Sequence, residues 1–180
     1  MVTELMKDVY WVGIVDWGLR KFHGHELSTH RGSTYNSYLI RDEKTVLVDT
    51  TWAPFKEEWL ENIRAVVDPA TIDIVVANHA EPDHSGGLPL IMKHAPNAEL
   101  IVSRRGAESL EGIYHQPWKF RTVKTGDRIP IGKNELVFIE ATMLHWPDSM
   151  FTYLAGGNLL MPNDAFGQHY ATAFRFNDQV

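Results

Sequence analysis

The sequence predicts an α+β fold in which helices sandwich mixed sheets and a site lies at one rim of the sheets. Short β-branched and aromatic runs come first in the chain, and strand and helix patterns then alternate. Side chains suited to metal binding directly follow several of the strand-like runs. The fold class and the position of the site therefore agree with each other.

The first elements are predicted strands at 9–15, 35–40 and 45–49. A polar turn at 41–44 joins the last two, which gives an antiparallel start. Between Pro54 and Pro69, apolar residues recur at roughly helical spacing among charged ones, so this segment is predicted to form the first helix.

The middle of the chain alternates between the two kinds of pattern. It reads as strand 72–77, helix 88–94, strand 99–102 and helix 104–114. Further strands are predicted at 120–124, 135–140, 150–154 and 158–161. No internal repeat or low-complexity linker interrupts this order.

The composition is that of one globular domain with a substantial core, since 44% of the 180 residues are hydrophobic and 22% are charged. The net charge of -6 and the scattered basic residues argue against nucleic acid as a partner. No apolar run approaches the roughly 20 residues of a membrane span, and the amino terminus lacks a signal-peptide pattern. We expect a cytoplasmic protein.

The chain has no cysteine. Disulfides, iron–sulfur clusters and thiolate zinc sites are therefore excluded for these residues. Imidazole and carboxylate groups are the strong metal ligands that remain.

A cluster of such groups follows the apolar run 72–77. Its candidate ligands are His79, Glu81, Asp83 and His84. An extended backbone would direct residues 79, 81 and 83 the same way and leave His84 for a second ion. We expect Pro82 and the glycines at 86–87 to keep the segment out of a helix.

Two more candidate ligands each follow another strand-like run: His145 and Asp164. Together with the first cluster they predict a two-metal site, in which His145 completes the first position and Asp164 bridges ions about 3.5–4 Å apart. Three anionic oxygen donors, from Glu81, Asp83 and Asp164, favour iron or manganese over zinc.

The motifs together resemble those of the flavodiiron proteins, a redox branch of the metallo-β-lactamase fold. The similarity rests on His-x-Glu-x-Asp-His at 79–84, on 144–153 and on 163–169, and it runs from Tyr10 to the end of the chain. It implies a metallo-β-lactamase-like αβ/βα sandwich, of which residues 1–180 would form the amino-terminal portion.

The resemblance also implies roles for the candidate ligands. One iron would be held by His79, Glu81 and His145, the other by Asp83 and His84, with Asp164 as the bridge. Hydrolases of the superfamily usually carry histidine where this chain has Glu81, so this residue separates the two classes best.

Members of the family reduce dioxygen to water or nitric oxide to nitrous oxide. Their electrons come from FMN on a flavodoxin-like domain, which a rubredoxin-like protein reduces, and in their head-to-tail homodimers the FMN lies beside the diiron site of the other subunit. We expect residues 1–180 to be a diiron domain that is incomplete at its carboxy end, without a flavodoxin-like domain. The missing segment, expected on a second chain, would supply the last histidine. Without it and without flavin, the isolated chain would be inactive in sustained oxygen or nitric oxide reduction.

Four further residues are candidates for roles around the metals. His23 resembles a family position over the iron pocket, where it would assist catalysis, or is a solvated loop histidine. Trp146 is either a packing residue or the contact for a partner's FMN. Asp148 and His169 follow ligand motifs closely and are candidates to orient a ligand imidazole.

Two alternative functions remain open at this point. One is a binuclear zinc hydrolase of the glyoxalase II or lactonase type, against which Glu81 counts. The other is an oxygen-binding diiron sensor, which would not require a flavin domain.

Overall fold

The computed structural model of the protein describes residues 2–22 and 27–179. Its larger sheet has seven strands in the order β1-β2-β7-β8-β9-β10-β11. These strands are β1 (Thr3–Met6), β2 (Val9–Trp11), β7 (Tyr38–Arg41), β8 (Thr45–Val48), β9 (Ile74–Ala77), β10 (Glu99–Ser103) and β11 (Phe120–Val123). The first four are antiparallel, and β8, β9, β10 and β11 run parallel to one another.

The second sheet is a four-stranded antiparallel meander. Its strands are β12 (Arg128–Pro130), β13 (Glu135–Glu140), β14 (Met150–Leu154) and β15 (Leu159–Met161). Two small two-stranded sheets complete the strand set. They pair β3 (Ile14–Asp16) with β6 (Ser33–Tyr35), and β4 (Lys21–Phe22) with β5 (Leu27–Ser28).

Four α-helices lie in the described residues. They are α1 (Lys56–Arg64), α2 (Pro82–Ser85), α3 (Leu88–His94) and α4 (Arg104–Tyr114). Short 3-10 turns occur at Ala53–Phe55, Pro69–Thr71 and Asn177–Gln179. None of these helices is long and apolar enough to cross a membrane.

The layers follow from the alternation of side chains along each strand. On β9, Val75 and Ala77 pack with the helices, whereas Ile74 and Val76 pack against the second sheet. The first core includes apolar residues of α1, α3 and α4, and the second includes Phe138 of β13. The result is a helix layer, a large sheet and a small sheet, which confirms the α+β sandwich. Within the described part of the chain, no α-helix contributes to the core on the second sheet.

The prediction of one continuous strand at 9–15 and another at 35–40 was wrong, because each segment forms two strands that belong to different sheets. The first breaks at Val12–Gly13 and the second at Asn36–Ser37, and the two breaks meet where Val12 N donates to Ser37 O (2.9 Å). A Cβ at Gly13 would overlap the carbonyl oxygen of Tyr35. The close approach of these two segments at the bend therefore requires glycine.

Phe138 provides a test of this layering. It is fully buried between the two sheets, whereas its neighbour Ile139 is 37% exposed on the outer face. Phe138→Ala should lower the free energy of unfolding by about 3–5 kcal/mol, because it leaves a cavity in a packed core. Ile139→Ala should cost about 1 kcal/mol or less. Denaturant unfolding would measure both, and equal losses would contradict the assignment of faces.

Candidate metal centre

The candidate ligands lie at one edge because five strands end there. The carboxyl ends of the parallel strands β8, β9 and β10 share this edge. β13 and β15 both run antiparallel to β14, so their ends also point the same way. The segments that follow these strands carry the polar groups of the site.

The segment after β9 contains a helical turn, contrary to the sequence prediction. Pro82 is the first residue of α2, and His84 N and Ser85 N both donate to Glu81 O (2.9 Å each). Proline favours rather than opposes this position, because the first helical residue needs no N–H partner. Asp83 therefore reaches the site from a helix and not by strand alternation from residue 79.

A first group of possible ligands consists of His79, Glu81, His145 and Asp164. Glu81 Oε2 lies between two imidazoles, 3.2 Å from His79 Nε2 and 3.0 Å from His145 Nε2. Asp164 Oδ2 lies 3.6 Å from His79 Nε2 and 3.7 Å from His145 Nε2. Two nitrogen and two oxygen atoms therefore converge on one position.

A second group consists of Asp83, His84 and Asp164. His84 Nε2 is 2.9 Å from Asp164 Oδ1 and 3.6 Å from Asp83 Oδ2. Asp164 thus belongs to both groups and turns one carboxylate oxygen toward each. This is the geometry of a bridging carboxylate.

The site is buried on one side and open on the other. His79, Glu81, Asp83 and His84 are buried, and the exposed fraction of the His145 side chain is 40%. A cavity of about 230 Å³ borders the open side. No lysine or arginine lines it among the described residues.

Carboxylates control the protonation of the two buried imidazoles. Burial alone would lower the pKa of His79, but Asp148 and Glu81 outweigh it and raise the pKa to about 9. Burial likewise opposes the charged form of His84, and Asp164 and Asp83 raise its pKa to about 10. A bound cation would displace these protons, because imidazole binds metal in its neutral form.

Within the two ligand groups, Asp83 Oδ1 and Asp164 Oδ2 are buried carboxylate oxygens that accept no hydrogen bond from the described residues. A buried anionic oxygen is costly unless a donor or a cation compensates it. The donor set of three imidazoles and three carboxylates therefore fits metal ions at both positions.

Asp148 holds His79 in its orientation. Its Oδ2 atom lies 3.0 Å from His79 Nδ1 and accepts from Ala80 N at 2.7 Å. Ser103, at the end of β10, donates to Asp148 O (2.9 Å). The ring of His79 therefore presents Nε2 to the first group, as metal-binding histidines require.

Asn78 is an important residue that sequence reasoning missed. Its backbone N donates to Asp49 Oδ1 (2.7 Å), and its side-chain amide donates to Asp49 Oδ2 (3.0 Å) and to Met161 O (3.3 Å). Its Oδ1 atom accepts from Thr152 Oγ1 (2.7 Å). Asn78 thus joins β8, β14 and β15 immediately before His79. Nothing in the local sequence indicates these long-range contacts.

Asn163 was also missed, although its sequence carries a signal. It has a positive φ of 47°, accepts from Asp164 N through Oδ1 (2.6 Å) and donates through Nδ2 to Met150 O (2.7 Å). Asparagine tolerates this left-handed conformation and hydrogen-bonds the local backbone. It therefore fixes the turn that presents Asp164.

The remaining predicted residues have different positions. Trp146 is half-buried and packs edge-on against His79, with ring centroids 5.1 Å apart. His169 Nδ1 contacts Ser33 Oγ (2.9 Å), and its ring lies 4.8 Å from Phe22. These contacts do not include an imidazole of the cluster, so the expected orienting role is not seen for His169. His23 lies outside the described residues.

Comparisons with known proteins confirm the resemblance and the fold. Residues 34–179 match the family described as ODP family beta lactamase. A nitric oxide reductase of Moorella thermoacetica is 54% identical over 173 residues, which are 96% of this chain and 43% of that protein.

Solved structures agree with this result. The flavodiiron protein of Giardia intestinalis matches with a TM-score of 0.95 and 42% identity, over 100% of this chain and 44% of that one. The rubredoxin oxygen:oxidoreductase of Desulfovibrio gigas matches with a TM-score of 0.96 and 40% identity, over 100% and 45%. The chain therefore spans less than half the length of these relatives.

The geometry predicts which metal position each histidine serves. His79→Ala or His145→Ala should reduce the bound metal from two ions to one, because each removes a nitrogen donor from the first group only. His94→Ala is the matched control, since His94 belongs to neither group. Elemental analysis gives the metal-to-protein ratio. Two ions per chain in both site variants would contradict the ligand assignment.

Proposed function

This chain belongs to the family described as ODP family beta lactamase, and on that premise we propose that it is the diiron catalytic domain of an oxygen or nitric oxide reductase. The proposal rests on one observation above all. A carboxylate, Glu81, lies between the imidazoles of His79 and His145, and a second carboxylate, Asp164, is shared by both ligand groups.

Six side chains would hold the two ions. His79, Glu81 and His145 would bind the first, Asp83 and His84 the second, and Asp164 would bridge. Their three carboxylates make the site harder and more anionic than an imidazole-dominated zinc site, which favours iron. The resemblance to flavodiiron proteins supports a further histidine for the second ion, from polypeptide outside these 180 residues.

Two iron ions would supply two electrons, which is the number required to convert two NO and two protons to N2O and water. The chain's own residues provide the pocket for this chemistry. His145 and Asp164 border the open side, and the cavity of about 230 Å³ has no lysine or arginine among its described lining residues. Such a pocket suits a small uncharged substrate such as NO or O2 better than an anionic ester or lactam.

The names of the relatives support a proposal for the electron supply. Names such as flavorubredoxin and rubredoxin oxygen:oxidoreductase support a flavin and a rubredoxin-like protein in electron transfer. The resemblance to flavodiiron proteins supports FMN as the flavin and as the immediate donor. Polypeptide other than these 180 residues would bind the FMN, in a homodimer that brings it beside the metals. Trp146, which lies against His79, is the residue we propose for contact with the flavin.

Glu81→His tests the choice of metal. Replacing the carboxylate by imidazole should shift the preference of the first position toward zinc, because it removes an anionic oxygen. Glu99→His, at an exposed carboxylate that pairs with Arg121, is the control. Competition between Fe²⁺ and Zn²⁺ under anaerobic conditions is the measurement. An unchanged ratio would show that Glu81 does not determine metal identity.

Single-turnover chemistry tests the function itself. Chemically reduced, iron-loaded protein, freed of excess reductant and mixed with NO, should form one N2O for each pair of iron ions, because the pair stores two electrons. Zinc-loaded protein should form none. Gas chromatography measures the product. The proposal would be overturned if the iron-loaded protein neither formed N2O nor consumed O2. Thioester hydrolysis by the zinc-loaded protein would then support a zinc hydrolase instead.

A further inference from the structure

We propose that Tyr114, the last residue of α4, is a positioning residue for the metal ligand Glu81 and acts through Ser85. The inference rests on the metal centre proposed above. It concerns a residue that lies 29 positions from Ser85 in the chain and whose hydroxyl approaches Ser85 Oγ to 2.8 Å.

The direction of this hydrogen bond follows from the number of protons. Ser85 is fully buried, and its Oγ atom donates to Ala80 O (2.7 Å) and to Glu81 O (3.0 Å). A serine hydroxyl has one hydrogen, which these two carbonyls share. Tyr114 must therefore donate to Ser85 Oγ. The tyrosine hydroxyl holds Oγ in the rotamer that reaches both carbonyls.

Ala80 separates the ligands His79 and Glu81, and its peptide groups are held from two sides. Ala80 N donates to Asp148 Oδ2 (2.7 Å), and Ala80 O accepts from Ser85 Oγ (2.7 Å). Ala80 is fully buried. These two bonds fix the backbone between the ligands, and hence the spacing of His79 Nε2 and Glu81 Oε2.

The two residues that hold Ala80, Asp148 and Ser85, are each hydrogen-bonded to one end of α4. At its amino end, Ser103 is the N-cap, accepts from Gly106 N (2.9 Å) and donates to Asp148 O (2.9 Å). At its carboxyl end is Tyr114. Because α4 has 11 residues and a length of about 16 Å, one rigid element supports Ala80 from both sides.

The ring of Tyr114 has a separate packing role. It lies 5.5 Å from the ring of Trp118 and packs against the helix-side core. Tyr114→Phe retains this packing and removes only the hydroxyl. Ser85 Oγ then loses the donor that holds its rotamer. It is expected to give up the bond to Ala80 O and keep the bond to Glu81 O, because a serine in a helix commonly bonds the carbonyl four residues earlier.

The test compares the affinity of four variants for Fe²⁺ under anaerobic conditions, by competition with a chelator. Tyr114→Phe and Ser85→Ala should each lower the affinity of the first metal position for Fe²⁺ by about tenfold. This is the lower end of the range for groups that orient ligands. Tyr153→Phe is the matched control, because it removes a tyrosine hydrogen bond to Asn158 Oδ1 (2.9 Å) at an exposed hairpin. Its affinity should equal that of the wild type.

The double variant separates positioning from general loss of structure. In the Ser85→Ala background, Tyr114→Phe should have no further effect on Fe²⁺ affinity, because the two residues act through one bond. Unfolding of each protein without metal is measured in parallel. If Tyr114→Phe does not fold, the comparison of Ser85→Ala with the wild type decides the proposal, because Tyr114 is proposed to act through Ser85 Oγ. An unchanged Fe²⁺ affinity of Ser85→Ala would then overturn it.

The outcomes distinguish this inference from the proposed function. Wild-type protein that binds no Fe²⁺ would overturn the metal centre itself. If the wild type binds Fe²⁺ and Tyr114→Phe binds it with the same affinity, only the positioning role would be overturned. An equal tenfold loss in both backgrounds would show that Tyr114 does not act through Ser85.

Discussion

The position of the metal centre depends on the buried contact between Asn78 and Asp49. Asn78 uses its backbone N–H and both polar side-chain atoms to join the ends of β8 and β15 to the middle of β14, one residue before His79. Burial raises the pKa of Asp49 to about 6, and the hydrogen bonds from Asn78 favour its charged form. Loss of the side-chain amide would remove the donor to Asp49 Oδ2 from a buried carboxylate, at a cost of about 1–3 kcal/mol. The two sheets are thus joined at the point where the site is built.

The second constraint is charge. Three carboxylates and three imidazoles converge at the edge of the sheets, and Asp83 and Asp164 each keep a buried oxygen that receives no hydrogen bond from the described residues. In the protein alone, protonated His79 and His84 compensate this negative charge. Metal ions would do so more completely. The shared carboxylate of Asp164 makes the two positions one unit, which is the structural basis for proposing two-electron chemistry.

The sequence predicts much of this arrangement, but it does not predict what depends on distant contacts. Ligand spacing at 79–84 and the placement of His145 and Asp164 after strand-like runs indicate the groups that the structure brings together. The helical turn at Pro82 was misread because proline both ends and begins helices. The strand breaks at Gly13 and Ser37 follow from the contact between two segments of the chain. The hydrogen bonds of Asn78, Ser85 and Tyr114 that hold the ligands join strands and helices that are remote in sequence. Local sequence patterns do not predict which remote residues will contact each other.

Anomalous diffraction at the iron absorption edge, from crystals of protein purified from iron-replete cells, tests the central claim most directly. The account predicts two iron peaks about 3.5–4 Å apart. One should lie among His79, Glu81 and His145 and the other beside Asp83 and His84, with Asp164 between them. A single peak, or two peaks that appear at the zinc edge and not at the iron edge, would contradict it.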